Sequence, residues 1–231
     1  MTVLDWLREA VFPTHCAACG AFGEWWCTNC RQKVEQIRTD LCPRCAAVGA
    51  GHTCALRIDE LDAILATGFY HDPVLRSVVT SLKYKHATCL LPSVGMHLTT
   101  WSSGRVEPWP WAGESALAIQ HVPATPRRVR ERGFDQAQLF ARVLQETSIP
   151  WARSVNVLRR RDGGETQASL SHGELRSANV HDAFSVVGDP PAAVLLVDDV
   201  LTTGSTMNEA ARALRAAGAK KVYGFALAVG R

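Results

Sequence analysis

The stretch VLLVDDVLTTGST, residues 194–206, constrains the fold most, because an apolar run ends in two acids and then turns through hydroxyl-bearing residues and a glycine. The apolar run predicts a buried strand, and STMNEAARALRAAGA predicts a helix that ends at Gly218. Backbone N–H groups and the helix dipole would then face one small volume beside Asp198 and Asp199, which is typical of an anion site. The carboxylates themselves suit paired hydroxyls, since an ionised carboxylate accepts hydrogen bonds. A ribose 5-phosphate fits this order of groups.

Alternating strand and helix patterns continue over the chain beyond about residue 58. The strand patterns are LDAILATGFY, ALAIQHV, AAVLLVDDV and KKVYGFALAV. The helix patterns are PVLRSVVTSLKY from Pro73, ATCLLPSVGMHLTTW, and a helix after an arginine-rich turn with Phe134, Ala137, Ala141 and Leu144 on one face. SSGRVEPWPWAGES is a predicted loop. This alternation predicts an α/β fold, a parallel sheet with helices on both faces, whose ligands bind beyond the carboxyl ends of the strands.

Cysteine usage separates the first part of the chain, because seven of the eight cysteines lie between positions 16 and 54. In a reducing compartment, paired Cys-x2-Cys units favour metal over disulfides, since two thiolates at this spacing reach one tetrahedral Zn²⁺. A redox role for a single pair is the alternative. Four ligands would close each site, so we expect a structural ion and predict a zinc-binding domain over 1–58, before a second domain over 59–231. The two predicted ligand sets are Cys16, Cys19, Cys27 and Cys30, and then Cys42, Cys45, His52 and Cys54.

Composition and charge limit the remaining classes of protein. The apolar runs are shorter than the roughly 18 residues of a membrane span, and the first residues carry acids where a signal peptide would be apolar. We therefore expect a cytoplasmic protein without membrane insertion. The net charge of +3 does not by itself imply nucleic acid, but the segment Arg127–Arg161 holds nine arginines against three acids. Such a segment is either a solvated face or a contact for a polyanion such as pyrophosphate or a nucleic acid backbone.

The stretch 194–206 resembles the PRPP-binding signature of the type I phosphoribosyltransferases along its whole length. The resemblance implies that Asp198 and Asp199 contact the ribose hydroxyls and that the following loop holds the 5-phosphate. It also implies Mg²⁺, bound mainly through the diphosphate and the sugar. The candidate loop residues are Val200, Leu201, Thr202, Thr203, Gly204, Ser205 and Thr206.

Three further stretches extend the resemblance to the ComF family, which pairs an N-terminal Cys-x2-Cys zinc region with a phosphoribosyltransferase domain. SLKY, VPATPRRVRERGFDQAQLFA and TQASLSHGELRSANVHDAF occur in the order found in that family. This sequence departs from the family pattern at Asp135, where ComF-type proteins usually show Asn, and at the last cysteine pair, which is reduced to His52 and Cys54. The resemblance implies the type I phosphoribosyltransferase fold with a double-zinc-ribbon-like region.

The resemblance also implies roles for residues around the predicted ribose site. The loop after ALAIQHV would hold pyrophosphate, with Arg128 as a cofactor-binding residue, and Lys83 and Arg132 would be catalytic cations beside Asp198 and Asp199. The stretch 159–179 would carry a mobile lid, with Thr166, Gln167, Arg176 and Asn179 as its candidates and Gln167 contacting the ligand. No general base is evident, since His121, His172 and His181 are more typical of structural or surface histidines. The predicted pyrophosphate-loop residues are Val122, Pro123, Ala124 and Thr125.

Three functions remain open. The first is a phosphoribosyltransferase, an enzyme of the glycosyltransferase class, which would move ribose phosphate from PRPP to an unidentified acceptor. The second, implied by the family, is an accessory factor in DNA uptake that binds single-stranded DNA, with PRPP as ligand or regulator and a competence helicase or other DNA-processing protein as partner. The third is a PRPP sensor without turnover. The tryptophans Trp101, Trp109 and Trp111 could stack on a base, but an apolar cluster is the favoured interpretation.

Overall fold

A computed structural model describes residues 13–42, 44–48, 54, 59–83, 87–105, 107–161 and 183–230. Six helices and seven strands lie within these ranges. The helices are α1 (Thr28–Lys33), α2 (Pro73–Ser81), α3 (Ala87–Ser103), α4 (Pro126–Arg132), α5 (Gln136–Ser148) and α6 (Ser205–Ala216). The strands are β1 (Ala63–Phe69), β2 (Leu117–His121), β3 (Arg153–Ser154), β4 (Leu158–Arg160), β5 (Phe184–Val186), β6 (Ala193–Leu201) and β7 (Lys221–Val229).

Five strands form a parallel sheet in the order β1-β7-β6-β2-β3, and β4 and β5 form a separate antiparallel pair. The central strands are apolar on both faces, as expected for a sheet covered on both sides. In β6 the first five residues are buried and the next three, from Asp198, are half-buried. The parallel sheet flanked by helices is therefore confirmed, and Asp198 begins the half-buried part of β6.

Two groups of buried side chains lie on the two faces of the sheet. One face packs residues of α2, α3 and α5 against Leu65, Leu195 and Phe225. The other packs residues of α6, such as Met207 and Leu214, against Ile64 and Leu196. All the strands predicted from the sequence, and the helices of α2, α3, α5 and α6, are present near their predicted positions.

The structure corrects the sequence prediction at three places. The predicted arginine-rich turn is the helix α4, which Thr125 caps, Pro126 begins and Gly133 ends at a φ of 85°. Lys83 was predicted on a helix, but α2 ends at Ser81 and Lys83 lies in the following turn, where its N–H bonds the carbonyl of Thr80. Phe134 precedes α5 instead of lying on it.

The segment after α1 runs along the edge of the sheet. Gln36 bridges Gly68 and Leu41 bridges Ile64, both antiparallel to β1. The Ile37 N–H bonds the Thr67 carbonyl at 3.0 Å. A Cβ on Gly68 would lie 2.9 Å from the Glu35 carbonyl oxygen, so the close approach of the two backbones requires glycine there. The cysteine-rich region is thus in direct backbone contact with β1.

Among the residues that the structure describes, no helix has both the length and the apolar character needed to cross a membrane.

Candidate functional site

Asp198 and Asp199 lie near the carboxyl end of β6 and are half-buried. The Asp198 carboxylate accepts a hydrogen bond from the Asp199 N–H at 2.8 Å, and the Asp199 carboxylate accepts one from the Val200 N–H at 2.9 Å. Burial raises the pKa of Asp198 well above its usual value, and the neighbouring charge of Asp199 raises it further. Both residues are half-buried, so neither is fully enclosed in the core. The pair is suited to accept hydrogen bonds from a polyol or to face a cation.

The turn after β6 leads into α6 and exposes backbone N–H groups. Gly204 adopts a φ of 76° and caps α6 without a side-chain hydrogen bond. The N–H groups of Thr202, Thr203, Gly204 and Thr206 have no acceptor within the described ranges. The Thr203 and Ser205 hydroxyls lie 2.9 Å apart at the surface of this turn. The turn is open and rich in donors, which is the chemistry that binds a phosphate dianion.

Two of the seven predicted loop residues contribute differently from the others. The Leu201 side chain is buried against the α6 face of the sheet, so only its main chain could reach a ligand. The Val200 side chain packs against the opposite core. The residues of the turn itself, from Thr202 to Thr206, are the ones that meet solvent, apart from Gly204.

The loop after β2 lies beside the acidic pair because β2 and β6 are neighbours. His121 pairs with Val197 in register, and the Val122 N–H bonds the Val197 carbonyl at 2.9 Å. Val122 itself is buried, whereas Pro123, Ala124 and Thr125 are partly exposed. The structure therefore brings the predicted pyrophosphate loop and the predicted ribose carboxylates to one edge of the sheet.

Asp135 holds this loop in place, a role that the sequence did not identify. One carboxylate oxygen accepts the N–H groups of Ala137 at 3.0 Å and Gln138 at 3.3 Å, which caps α5, and the other accepts the Ala124 N–H at 2.8 Å. The position before an amphipathic helix is an N-cap signal that the sequence does contain. An acid here therefore links the pyrophosphate loop to the start of a helix.

His121 contacts the same carboxylate, with its Nε2 3.9 Å from an Asp135 oxygen. Burial lowers the pKa of His121 more than the charge of Asp135 raises it. The imidazole is buried beside the carboxylate that anchors the loop, so the structural role favoured by the sequence stays the interpretation.

Arg160 reaches the same edge of the sheet from β4. Its Nη1 lies 3.4 Å from the Pro123 carbonyl oxygen, and its guanidinium lies 5.2 Å from the centre of the Phe184 ring. Burial lowers its pKa, as does the charge of Arg128, while the charges of Asp198 and Asp135 raise it. The sequence showed Arg160 only as one of nine arginines, and no local pattern distinguished it from the others.

The other predicted cations lie around this edge at varying distance. The Arg132 guanidinium bonds the Gln136 side chain at 3.1 Å, and Gln136 in turn bonds the Val79 carbonyl near the end of α2. Lys83 follows that end of α2 in the chain. Arg128 is exposed on α4. The candidates Thr166, Gln167, His172, Arg176, Asn179 and His181 lie outside the described residues.

The tryptophans form part of the core, as the sequence favoured. Trp101 and Trp111 are fully buried, and Trp109 stacks on Trp111 with ring centres 5.1 Å apart. Trp101 packs edge-on against Phe225 of the sheet. Trp101 and Trp111 are enclosed by protein and offer no stacking surface to a base, and Trp109 is half-buried against them.

The thiols of Cys16, Cys19, Cys27 and Cys30 lie within 4.8 Å of one another, and so do those of Cys42, Cys45 and Cys54. The Cys19 and Cys27 sulfurs are 3.8 Å apart, and the Cys42 and Cys54 sulfurs are 3.7 Å apart. Tetrahedral zinc with bonds of about 2.3 Å separates its sulfur ligands by about 3.8 Å. Both groups therefore fit a zinc ion, and the predicted ligand His52 lies outside the described residues.

Within the first cysteine group, backbone donors favour the thiolate form of Cys16. Burial alone would raise the pKa of Cys16, but backbone hydrogen bonds, the largest from Cys27, lower it to about 6. The Cys27 N–H lies 3.4 Å from the Cys16 sulfur. A thiolate held by backbone donors is the form that binds zinc.

Comparison with known proteins agrees with this geometry. Residues 129–230 match the phosphoribosyl transferase domain, and residues 7–57 match the double zinc ribbon domain. The chain is 37% identical to Competence protein F of Haemophilus influenzae, over 90% of this chain and 98% of that protein. It is 30% identical to DNA utilization protein YhgH of Salmonella typhi, over 87% and 89% of the two chains. It is 25% identical to Competence protein ComFC of Bacillus subtilis, over 81% and 77%.

Proposed function

The chain belongs to the ComF family, and from that premise we propose that it binds PRPP with Mg²⁺ and transfers the phosphoribosyl group to an acceptor. The matched transferase domain supports the class of substrate, and the carboxyl edge of the sheet supports the mode of binding. Asp198 and Asp199 accept hydrogen bonds from the ribose hydroxyls, and the backbone N–H groups from Thr202 to Thr206 donate to the 5-phosphate. The loop from Val122 to Thr125 holds the diphosphate.

One observation carries this proposal: two half-buried carboxylates stand directly before a turn of free amides, next to a second loop on the neighbouring strand. A carboxylate pair repels the phosphates, and the amides do not bind hydroxyls preferentially, so a ligand must present both kinds of group in fixed order. PRPP does so with its 5-phosphate, its sugar hydroxyls and its diphosphate. Catalysis at such a site is mainly positional and electrostatic.

Mg²⁺ would neutralise the diphosphate and so stabilise it as a leaving group. Among the described residues, the only groups of three or more potential metal ligands are the two cysteine groups. Magnesium would therefore arrive with the substrate and be held mainly by PRPP, with Asp198 and Asp199 close to its sugar. The zinc ions, one in each cysteine group, are structural in this proposal.

Calorimetric titration of the zinc-loaded protein with PRPP and Mg²⁺ tests the proposal. We expect binding by the wild type and loss of binding when Asp198→Asn and Asp199→Asn are combined. Asp189→Asn, an exposed acid before β6, is the control and should bind as the wild type does. Unchanged affinity in the double variant would remove the site assignment.

Turnover is tested separately by mass spectrometry of mixtures with candidate bases. Release of pyrophosphate with a new phosphoribosyl product would identify an enzyme. Tight PRPP binding with no product from any acceptor would instead support the PRPP sensor.

A second function is favoured by α4, whose Arg127, Arg128 and Arg130 are all exposed. The names of the relatives refer to competence and to DNA utilization, and a cytoplasmic role in handling single-stranded DNA with a DNA-processing partner would agree with them. A basic helix binds nucleic acid through phosphates, with affinity that falls steeply with salt.

Anisotropy of a labelled oligothymidylate between about 50 and 200 mM salt tests this second function. Arg127→Gln should weaken binding. Arg142→Gln is the matched control, since Arg142 pairs with Glu146 on α5 as Arg127 pairs with Glu131 on α4, each at 2.8 Å. Equal losses in both variants, or no binding at low salt, would reject α4 as a DNA contact.

A further inference from the structure

Arg160 occupies a position that the other described arginines of the segment 127–161 do not share. Arg127 and Arg142 are exposed and each pairs with a glutamate on its own helix. Arg159 points to the surface and bonds the Asn156 side chain at 2.8 Å. Arg160 instead is half-buried at the carboxyl edge of the main sheet.

The antiparallel pairing of β4 and β5 fixes the direction of this side chain. Arg160 pairs with Phe184 in register, and its guanidinium lies 5.2 Å from the centre of the Phe184 ring. An aromatic face under a guanidinium restricts its rotation while leaving its edge donors free. Arg160 is therefore held toward the loop that follows β2.

Within the described ranges, the hydrogen bond of Arg160 joins its side chain to the predicted diphosphate loop. Its Nη1 lies 3.4 Å from the Pro123 carbonyl oxygen, which is a long bond. Pro123 follows Val122, whose N–H bonds the residue immediately before Asp198. Within the described ranges, no further hydrogen bond occupies the remaining donors of this guanidinium, and none of its nitrogens is a buried atom without a partner. The remaining donors thus face accessible space.

We propose that Arg160 is a catalytic residue that contacts the diphosphate of PRPP, an inference that rests on the proposed function. Its free edge donates to the non-bridging diphosphate oxygens. As the bond between ribose C1 and the diphosphate oxygen breaks, its electron pair passes to that oxygen, and Arg160 stabilises the added charge. The acceptor atom forms the new bond to C1 and gives its proton to water.

The electrostatics of the site support this role. Burial and the charge of Arg128 lower the pKa of Arg160, and the charges of Asp198 and Asp135 raise it. A guanidinium nevertheless stays protonated in proteins. Arg160 is thus a fixed cation among groups of both signs. A polyanionic ligand bound there would offset the electrostatic repulsion between Arg160 and Arg128.

Three ligands distinguish a diphosphate contact from a structural role: PRPP, ribose 5-phosphate and inorganic diphosphate, each titrated with Mg²⁺ into the zinc-loaded protein. We expect Arg160→Gln to lower the affinity for PRPP and for diphosphate by about ten- to a hundredfold, since hydrogen bonds to charged groups are strong. Affinity for ribose 5-phosphate, which lacks the diphosphate, should not change. Arg160→Lys should restore part of the loss, because it keeps the charge.

Arg159→Gln is the control, because it removes the same charge from an exposed side chain at the neighbouring position. Equal loss of ribose 5-phosphate and PRPP affinity in Arg160→Gln would show that Arg160 only supports the loop, and no loss at all would show that it makes no contact. Either result overturns the inference while leaving PRPP binding by the wild type intact. Failure of the wild type to bind PRPP would instead overturn the proposed function, and this inference with it.

Discussion

At the scale of single residues, the site combines groups that are unfavourable for folding with groups that position them. Asp198 is kept close to a second acid and partly out of water, which raises its pKa. Asp135 is the opposite case, because its two oxygens accept three backbone N–H groups. One acid is thus placed for a ligand, and the other holds the framework around it.

The raised pKa of Asp198 predicts that Asp198→Asn stabilises the ligand-free protein. An acid whose pKa is higher in the folded state contributes stability below its unfolded pKa of about 3.9, and that stability is lost as the pH rises through the folded value. Near pH 4 the variant and the wild type should therefore be alike. At pH 8 the variant should be more stable by about 0.5–2 kcal/mol, since Asn keeps the oxygen that accepts the Asp199 N–H.

Thermal unfolding at several pH values checks this expectation, with Asp189→Asn as an exposed control that should show no such divergence. A shift in Tm of about 2–4 °C per kcal/mol is typical of a chain of this size. An Asn variant that is less stable than the wild type at pH 8 would show that the carboxylate is needed for folding.

Asp135 provides a second test at this scale. Asp135→Ala removes the cap of α5 and the anchor of the Ala124 N–H, so we expect a loss of about 1–2 kcal/mol in unfolding free energy and weaker PRPP binding. Asp135→Asn, the residue usual in ComF-type proteins, keeps one accepting oxygen and should lose less. Urea unfolding and calorimetry measure both effects, and equal losses in the two variants would contradict the assigned contacts.

At the scale of elements, the site depends on two loops that leave neighbouring parallel strands. The turn from β6 to α6 needs Gly204 at a φ of 76°, where other residues are strained. Gly188 has a φ of 72° in a turn before β6, outside the site. The two glycines form a matched pair.

Gly204→Ala and Gly188→Ala should both lower the free energy of unfolding, each by about 1 kcal/mol, because both force a Cβ into the left-handed region. Only Gly204→Ala should also weaken binding of PRPP and ribose 5-phosphate, since its Cβ would stand among the phosphate-binding amides. Calorimetry on both variants tests the difference. Parallel losses of affinity would indicate a general effect of stability.

These elements also show which features a sequence can predict. The strands around Leu195 and Phe225 are long apolar runs, and the Cys-x2-Cys spacing directly indicates its ligand, so both were evident. The short strands β4 and β5 were not evident, because three residues are too few to show the alternation of a strand. Their pairing also joins positions that are far apart in sequence. Arg160 was missed for the same reason, since only that pairing brings it to Pro123. The segment of α4 was predicted as a turn because it is rich in arginine. It nevertheless contains three helix signals: an N-cap, a proline at the first position and a terminal glycine.

At the scale of the whole molecule, the cysteine-rich region contributes to the core of the transferase domain. Cys16, Trp26, Cys30 and Val34 are buried in the same group of side chains as Leu65 and Leu75. The Asp72 carboxylate caps α2 and also accepts the Glu35 N–H at 2.9 Å. Sequence composition suggested a division after residue 58, but packing across that position depends on tertiary contacts that composition does not reveal.

This packing predicts that loss of the first zinc ion weakens the whole protein. The metal holds together a short region that cannot fold alone, so Cys19→Ser should expose Trp26 and remove the support of β1 and α2 in the same event. We expect one cooperative unfolding transition at a lower temperature, with tryptophan fluorescence and far-UV circular dichroism changing together. Cys45→Ser, in the second group, is the comparison, since Cys16 and Cys30 of the first group are core residues themselves, whereas the second group reaches the core only through its neighbours Leu41 and Ala46. It should release one zinc ion with a smaller change in Tm. If Cys19→Ser instead gave an early fluorescence transition followed by unfolding of the sheet at the wild-type temperature, the two regions would be thermodynamically independent domains.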